Sequence, residues 1–358
     1  MSSPNYFPSW LKPEVFAGID FPAFLGFLNV IRWYGLMYII GLTVFLLTAN
    51  YVMKKESANL KTLNKERMDN IFFAGVIGLI LGGRIFYCLV YDWPYFSQHL
   101  LQVIVPFNFS TGQFTGFAGM SYHGAVIGIA ILASISVKRQ GVDFREAFDI
   151  IFISAPLGYS FGRLGNFINA ELYGRITSNP FGMIFPNAEK LPLTLPDVQN
   201  ILTKLQWTVN EGSKTITTAT GEVLNNLVGG MIINGNVVTS VNLPRHPSQL
   251  YEFLLEGIVL FLVMWFIFRR FNFLKGYQST VYLCGYATAR FIAEFFRQPD
   301  YQFADHASGK YVGTIAGFLS MGQILSILMF LSGIALALFL KYLYKPKKLS
   351  LLSEVKKK

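Results

Sequence analysis

The sequence predicts an all-α polytopic membrane protein with seven transmembrane helices, its N-terminus outside and its C-terminus cytoplasmic, and a small external β-containing head. Three observations predict it. Hydrophobic residues make up 53% of the 358 and charged residues only 14%, where soluble globular chains carry roughly 25% charged residues. Mean hydropathy is +0.42. Seven stretches approach the length of about 20 apolar residues that crosses a hydrocarbon core. Finally, Lys and Arg collect on alternate connections between those stretches. A chain this poor in charge and holding 34 Phe is neither disordered nor a small secreted scaffold, and most of its surface faces lipid.

The elements follow in order. Residues 1–29 hold Pro4, Pro8, Pro13, Pro22 and Asp20 and lack a basic start, so they read as an interfacial arm rather than a cleaved signal peptide. Spans are expected near 30–53, 70–91, 119–137 and 147–169, making residues 30–171 the first four helices. Three more are expected near 248–269, 277–296 and 320–343, within residues 248–343. Residues 344–358 form a basic tail. Between the two groups of helices, residues 172–247 are polar and rich in Asn, Thr, Gly and Pro. There Met231–Val238 reads as a hairpin turning at Asn234-Gly235, which suits a type I′ turn. A second β-prone run lies at Thr215–Thr220. This head reads as an insertion without chemistry of its own.

The bases set the orientation. Lys54, Lys55, Lys61, Lys65 and Arg67 follow the first span; Lys138, Arg139 and Arg145 follow the third; Arg269, Arg270 and Lys275 follow the fifth. Lys341, Lys345, Lys347, Lys348, Lys356, Lys357 and Lys358 close the chain, which brings the total to eighteen of the thirty bases. Residues 92–118 hold none. By the positive-inside rule the basic connections are cytoplasmic and the head is external. The net charge of +10 is thus a topology signal and not a nucleic-acid footprint. Cys88 and Cys284 both lie in apolar stretches, which argues against a disulfide framework or a zinc site.

Charged groups inside spans are costly and mark function by default. Arg290, Glu294 and Arg297 stand at i, i+4 and i+7, on one helix stripe; the Glu between two Arg leaves net positive charge. Arg163 and Asn166 share a face three residues apart, with Asn169 and Glu171 following. His123 opens the third span. Gly162, Gly165 and Gly174 allow close approach of backbone or ligand. The derived orientation places His123, Arg163, Glu171, Arg290 and Glu294 toward the outer surface. Arg297 reads either as part of this group or as a snorkelling helix end, Arg32 as an aromatic-belt anchor or a site residue, and Arg84 as a functional charge or a structural ion pair with a neighbouring span.

Arginine grips phosphate in a bidentate fork, so an outward-facing cavity with two or three Arg suits a phospholipid head group. His123 has the ordinary properties of a general base. Neither carboxylates at metal-ligand spacing nor a nucleophile in a triad setting is evident, which disfavours metal hydrolysis and acyl-enzyme chemistry. Direct displacement at a lipid carbon remains, with the leaving phosphate held by Arg. A lipid or anion transporter is the alternative, although no inverted repeat of broken helices is seen. A phosphatidyl transferase would call for Asp clusters inside the spans.

Several motifs then carry a resemblance. Gly162-Arg163-Leu164-Gly165-Asn166-Phe167-Ile168-Asn169-Ala170-Glu171-Leu172-Tyr173-Gly174 resembles the signature of bacterial prolipoprotein diacylglyceryl transferases. In the same order come Arg32-Trp33-Tyr34-Gly35-Leu36-Met37-Tyr38, Gly82-Gly83-Arg84, Ser121-Tyr122-His123-Gly124 and Arg245-His246-Pro247-Ser248-Gln249-Leu250-Tyr251-Glu252. The run Arg290–Asp300 and Ser320-Met321-Gly322-Gln323 complete the set. The resemblance covers nearly all of residues 30–343. It implies transfer of the diacylglyceryl group of phosphatidylglycerol to the lipobox cysteine of preprolipoproteins, recognised through their signal peptides. A thioether forms, glycerol 1-phosphate leaves, and no cofactor or metal is used. It implies a bacterial inner-membrane enzyme with its site toward the periplasm and membrane lipid as its surroundings. Arg163 matches the phosphatidylglycerol-binding arginine and Arg290 a second essential one. Tyr34, His123, Asn166, Glu171, Gly174 and Glu294 match positions important in the family, with His123 the proposed base. The departures are peripheral: Arg32 stands where relatives often have His, and the head is longer than in compact members.

Overall fold

The computed structural model describes residues 4–19, 31–105, 107–108, 113–114, 119–233, 235–299, 313–315 and 318–343; the basic tail, Asn234 and Asp300 lie outside the described residues. The chain divides into two compact units, Met1–Phe45 with Ala155–Lys358, and Leu46–Ser154. Helices dominate both. They are α1 (Trp33–Glu56), α2 (Lys65–Phe86, continued by a π-helical turn Tyr87–Tyr91), α3 (Tyr122–Arg139) and α4 (Phe144–Ile168). A head helix follows, α5 (Pro196–Leu205). Next is α6, which begins at Ser248–Glu252, runs through a π-helical stretch Phe253–Val259 and ends at Leu260–Phe266. The last two are α7 (Gln278–Ala293) and α8 (Met321–Leu343).

Helices coincide with each stretch in which a span was expected. Four helical segments are long and apolar enough to cross a membrane: Trp33–Asn59, Lys65–Tyr91, Ser248–Arg270 and Met321–Leu343. The other three differ for visible reasons. α3 is 18 residues and ends in Lys138 and Arg139, α4 holds Arg145, Glu146, Asp149 and Arg163, and α7 is 16 residues. Large apolar side chains such as Phe73, Ile77 and Leu81 on α2 and Leu325, Leu328 and Leu331 on α8 are exposed. Exposed apolar faces on this scale mark a chain that meets lipid, and the protein is a mostly helical polytopic membrane protein.

In the Leu46–Ser154 unit, α2 and α3 approach through glycine. A Cβ on Gly78 or Gly82 would collide with the Gly128 and Gly124 backbone, the small-residue contact that packs membrane helices closely. Caps define both starts: Asn64 accepts the Arg67 N–H at 2.9 Å, and Ser121 accepts the Gly124 N–H at 3.2 Å. Glu146 accepts from the N–H groups of Lys61, Thr62 and Leu63 at 2.8–3.0 Å, fixing the turn before α2. Arg84 meets backbone carbonyls and an aromatic ring. Its guanidinium donates to the carbonyls of Gln102 (2.7 Å), Val103 (3.2 Å) and Gly119 (3.3 Å) and lies over the Phe96 ring. Backbone carbonyls thus bond to the buried cation.

In the other unit, α1 and α4 also meet through glycine, a Cβ on Gly41 lying 2.6 Å from the Gly158 carbonyl. Within the head, the hairpin Val228–Ile233 to Asn236–Val241 forms as expected, pairing Ile233 with Asn236, and Gly235 has φ +80°. Leu191–Pro192 adds a third strand. Strands Thr208–Asn210, Thr215–Thr217 and Val223–Leu224 form a second small sheet. Its core includes Leu191, Leu195, Val198, Ile216 and Leu243, with α5 contributing Val198 and Leu202. Asn5–Tyr6 of the N-terminal arm pairs in parallel with Met183–Ile184.

Candidate active site: a buried arginine–glutamate cluster

Two of the sequence-predicted arginines come together on carboxylates from a third helix. Arg163 sits near the end of α4, Arg290 in the last turn of α7, and Glu252 and Glu256 on α6. Four residues apart, the two glutamates share a helix face. Arg163 reaches Glu252 at 2.8 Å and Glu256 at 3.4 Å. Arg290 reaches Glu252 at 3.2 Å, Glu256 at 3.5 Å and Glu294 at 2.8 Å. Arg297 closes the group at 3.8 Å from Glu252 and 3.9 Å from Glu294. These two long contacts place Arg297 at the edge of the cluster.

Burial is graded. The three glutamate side chains are 0–2% exposed, the three arginine side chains 13–16%. The carboxylate side chains lie deepest and the arginine side chains nearer the surface. Three formally positive and three formally negative groups meet here, so Glu252 and Glu256 of α6 offset the positive charge that Arg163 adds and that the Arg290, Glu294 and Arg297 stripe carries. Burying such a group is tolerable only with close pairing, and losing one partner of a buried pair costs about 3–5 kcal/mol.

A polar frame holds the cluster. The Tyr159 hydroxyl accepts from Arg163 Nη2 and lies 3.0 Å from the Tyr286 hydroxyl. Ser320 donates to Glu294 at 3.0 Å, and its own backbone N–H donates to Gln323. Gly322 has no room for a side chain, because a Cβ there would lie 2.5 Å from the Glu294 carboxylate. Arg175, at the edge of the head, donates to the carbonyls of Glu294 (3.1 Å) and Arg297 (3.0 Å). The head thus braces the turn that carries the cluster.

Other predicted residues form an adjoining network. Asn166 is buried and donates to the Glu171 carboxylate at 2.9 Å; Asn169 donates to the same oxygen at 3.4 Å. Gln249 donates to the Glu171 carbonyl at 2.6 Å. Ala170 and Leu172 flank Glu171 at φ 53° and 55°, a left-handed backbone that costs non-glycine residues energy and is held by surrounding bonds. Gly174 donates its N–H to the His246 carbonyl at 2.8 Å and bridges to Arg297. A Cβ on Gly174 would lie 2.6 Å from that carbonyl. Nothing lies within 4 Å of a Cβ on Gly162, while one on Gly165 would touch the Tyr34 ring at 3.2 Å. Tyr34 thus packs on α4, its hydroxyl 3.0 Å from that of Tyr38. Arg32 is exposed and forms a backbone bridge with Glu14. His123 belongs to the Leu46–Ser154 unit, exposed on the first turn of α3 with its ring edge-on to Tyr122.

Glu252 closed a recognised motif without a role, and Glu256 drew no attention. Yet both are charges at i, i+4 in an apolar run, the same signal that marked Arg290 and Glu294. Among the described residues no group of three or more His, Cys, Asp or Glu could hold a metal ion.

Residues 22–339 match the family model described as prolipoprotein diacylglyceryl transferase. The phosphatidylglycerol–prolipoprotein diacylglyceryl transferase of Treponema denticola is 36% identical over 358 residues, 95% of each chain. That of Treponema pallidum is 35% identical over 343 residues, 92% of each. The Borreliella afzelii protein of the same name is 34% identical over 364 residues, covering 98% of this chain and 100% of its own. With a match this long, the chain belongs to the prolipoprotein diacylglyceryl transferase family.

Proposed function

We propose that this protein transfers the diacylglyceryl group of phosphatidylglycerol to the lipobox cysteine of preprolipoproteins, the first step of lipoprotein maturation. One observation carries the site assignment: Arg163 and Arg290, from separate helices, converge on the same two carboxylates. Three guanidinium N–H groups in the cluster, Arg163 Nε, Arg290 Nη1 and Arg297 Nε, have no hydrogen-bond partner among the described residues. They are the donors for phosphate oxygens.

The cysteine sulfur attacks the lipid carbon that bears the phosphate. The carbon–oxygen bond breaks and its electron pair leaves with glycerol 1-phosphate, whose charge the arginines stabilise. His123 takes the thiol proton, and Glu294 holds Arg290 in place. Asn166, Glu171, Gly174 and Tyr34 shape the wall of the lipid site. The enzyme lies in the bacterial inner membrane with seven spans, basic connections in the cytoplasm and the site toward the periplasm, as the distribution of Lys and Arg supports. The lipobox cysteine arrives on a signal peptide.

Purified protein in detergent, given phosphatidylglycerol and a lipobox peptide, adds diacylglyceryl to the peptide thiol, read by mass. Movement of labelled lipid across liposomes without any thioether product would overturn this reading in favour of a transporter.

A further inference from the structure

We propose that Glu252 and Glu256 are resident counter-anions, which the lipid phosphate displaces from Arg163 and Arg290 and which return to expel the phosphate product. The inference rests on the reading of the site given above.

The three glutamates are not equivalent. Glu294 is fixed by the Ser320 hydroxyl and wedged against Gly322. Glu252 Oε1 and Glu256 Oε1 are buried without a hydrogen-bond partner among the described residues, although Arg290 Nη1 lies 3.2 Å and 3.5 Å from them. Charge alone holds these Oε1 contacts to Arg290, while the Oε2 atoms are held by Arg163, at 2.8 Å for Glu252 and through a 3.4 Å hydrogen bond for Glu256. The arginine side chains are 13–16% exposed and the carboxylate side chains 0–2%, so an incoming anion meets the arginines first. Among the described residues, the groups that meet the two carboxylates are Arg163 and Tyr159 from α4, Arg290 from α7, and Arg297 beyond it.

The chemistry needs such an exchange. The lipid phosphodiester carries one negative charge, whereas a phosphate monoester carries about −1.5 to −2 at neutral pH. A site of three bare arginines would hold the product more tightly than the substrate and stall turnover. With three carboxylates the empty site is neutral, and two of them compete for the guanidiniums as the product leaves. Removing one leaves an unbalanced buried cation, which an anion from solution relieves.

The test measures binding of glycerol 1-phosphate to purified wild-type protein and to the Glu252→Gln and Glu256→Gln variants by calorimetry, with turnover on phosphatidylglycerol in parallel. Both variants bind the product about tenfold more tightly, the scale of one unit charge at a partly screened site. Their kcat and KM fall together, and the first turnover outruns the rest. A role limited to holding the fold would not tighten the product. Glu256→Asp, which keeps the charge and withdraws it by one methylene, tightens binding by about two- to tenfold on the same scale. Unchanged or weaker product binding in the folded variants overturns the proposal, as does unchanged binding in Glu256→Asp if neither Gln variant folds. Failure of the transferase reading looks different: wild-type protein would then make no thioether, whatever its affinity for the product.

Discussion

Arg163 and Arg290 share the Glu252 carboxylate, at 2.8 Å and 3.2 Å, so the two guanidiniums are held as a pair by one group from a third helix. A pair held this way presents planar donors in a fixed direction, which an ammonium does not reproduce. Arg163→Lys and Arg290→Lys keep the charge and lose the fork. Each lowers kcat/KM for diacylglyceryl transfer by about a hundredfold or more, the range seen when a donor to a developing anion is removed. Thermal unfolding in detergent separates this from loss of fold. A Lys variant with wild-type kcat/KM would exclude bidentate phosphate binding at that position.

How far the site was legible follows from which partner each residue has. Arg290 and Glu294 were readable as a pair because they lie one helical turn apart in an apolar run. Arg163 was readable as a costly charge, but its carboxylate partners stand on α6 and only the fold supplies them. Arg84 shows the same limit from the other side, since it donates to the carbonyls of Val103 and Gln102 and no residue type announces a carbonyl. The hairpin at Met231–Val238 was legible because its turn chemistry is local. Glycines divide likewise: Gly235 has a local reason, its positive φ, while Gly322 has a distant one, the carboxylate of Glu294.

Those glycines give a graded test. An added methyl at Gly322 would push Glu294 away from Arg290 and Ser320, and one at Gly174 would strike the His246 carbonyl. Overpacking of this kind costs about 1–3 kcal/mol. Gly322→Ala and Gly174→Ala both lower the unfolding midpoint, and Gly322→Ala also lowers kcat/KM about tenfold or more, the equivalent of that cost in rate. Gly162→Ala meets nothing within 4 Å and leaves stability equal or higher, by up to about 1 kcal/mol, as Ala replaces Gly in a helix. Equal midpoints for all three variants would show that the packing at Gly174 and Gly322 is looser than described.

His246, at the junction of head and helices, makes stability depend on pH. Burial, followed by the nearby Arg175 charge, holds its imidazole below the ordinary value of 6.5. The ring packs against Tyr251 and Phe296. Below about pH 6.5 the unfolded chain binds a proton that the folded chain refuses, so stability falls with pH. The fall ends once the folded imidazole is also protonated. Unfolding midpoints between pH 8 and 5 therefore drop for the wild type, and a shallower slope is expected for His246→Gln. Parallel slopes in the two proteins would remove His246 as the cause.

His123 is the residue whose chemical role is least constrained by its neighbours, since it is exposed and its ring stands edge-on to Tyr122. If it takes the thiol proton, what it supplies is replaceable by hydroxide. A cysteine thiol ionises near pH 8.5, so about 3% is thiolate at pH 7 and most of it at pH 9. His123→Gln should then lower kcat/KM at pH 7 by about a hundredfold or more, the lower range for a lost general base. Raising the pH to 9 should return much of that loss, because the nucleophile no longer needs a base. An arginine variant such as Arg163→Lys provides the contrast, with a deficit that stays constant across the same range because phosphate binding does not depend on thiol ionisation. Transfer to a lipobox peptide, followed by mass between pH 7 and 9, reads both profiles. A His123→Gln deficit that is as large at pH 9 as at pH 7 would rule out proton abstraction and leave His123 a role in placing the lipid or the peptide.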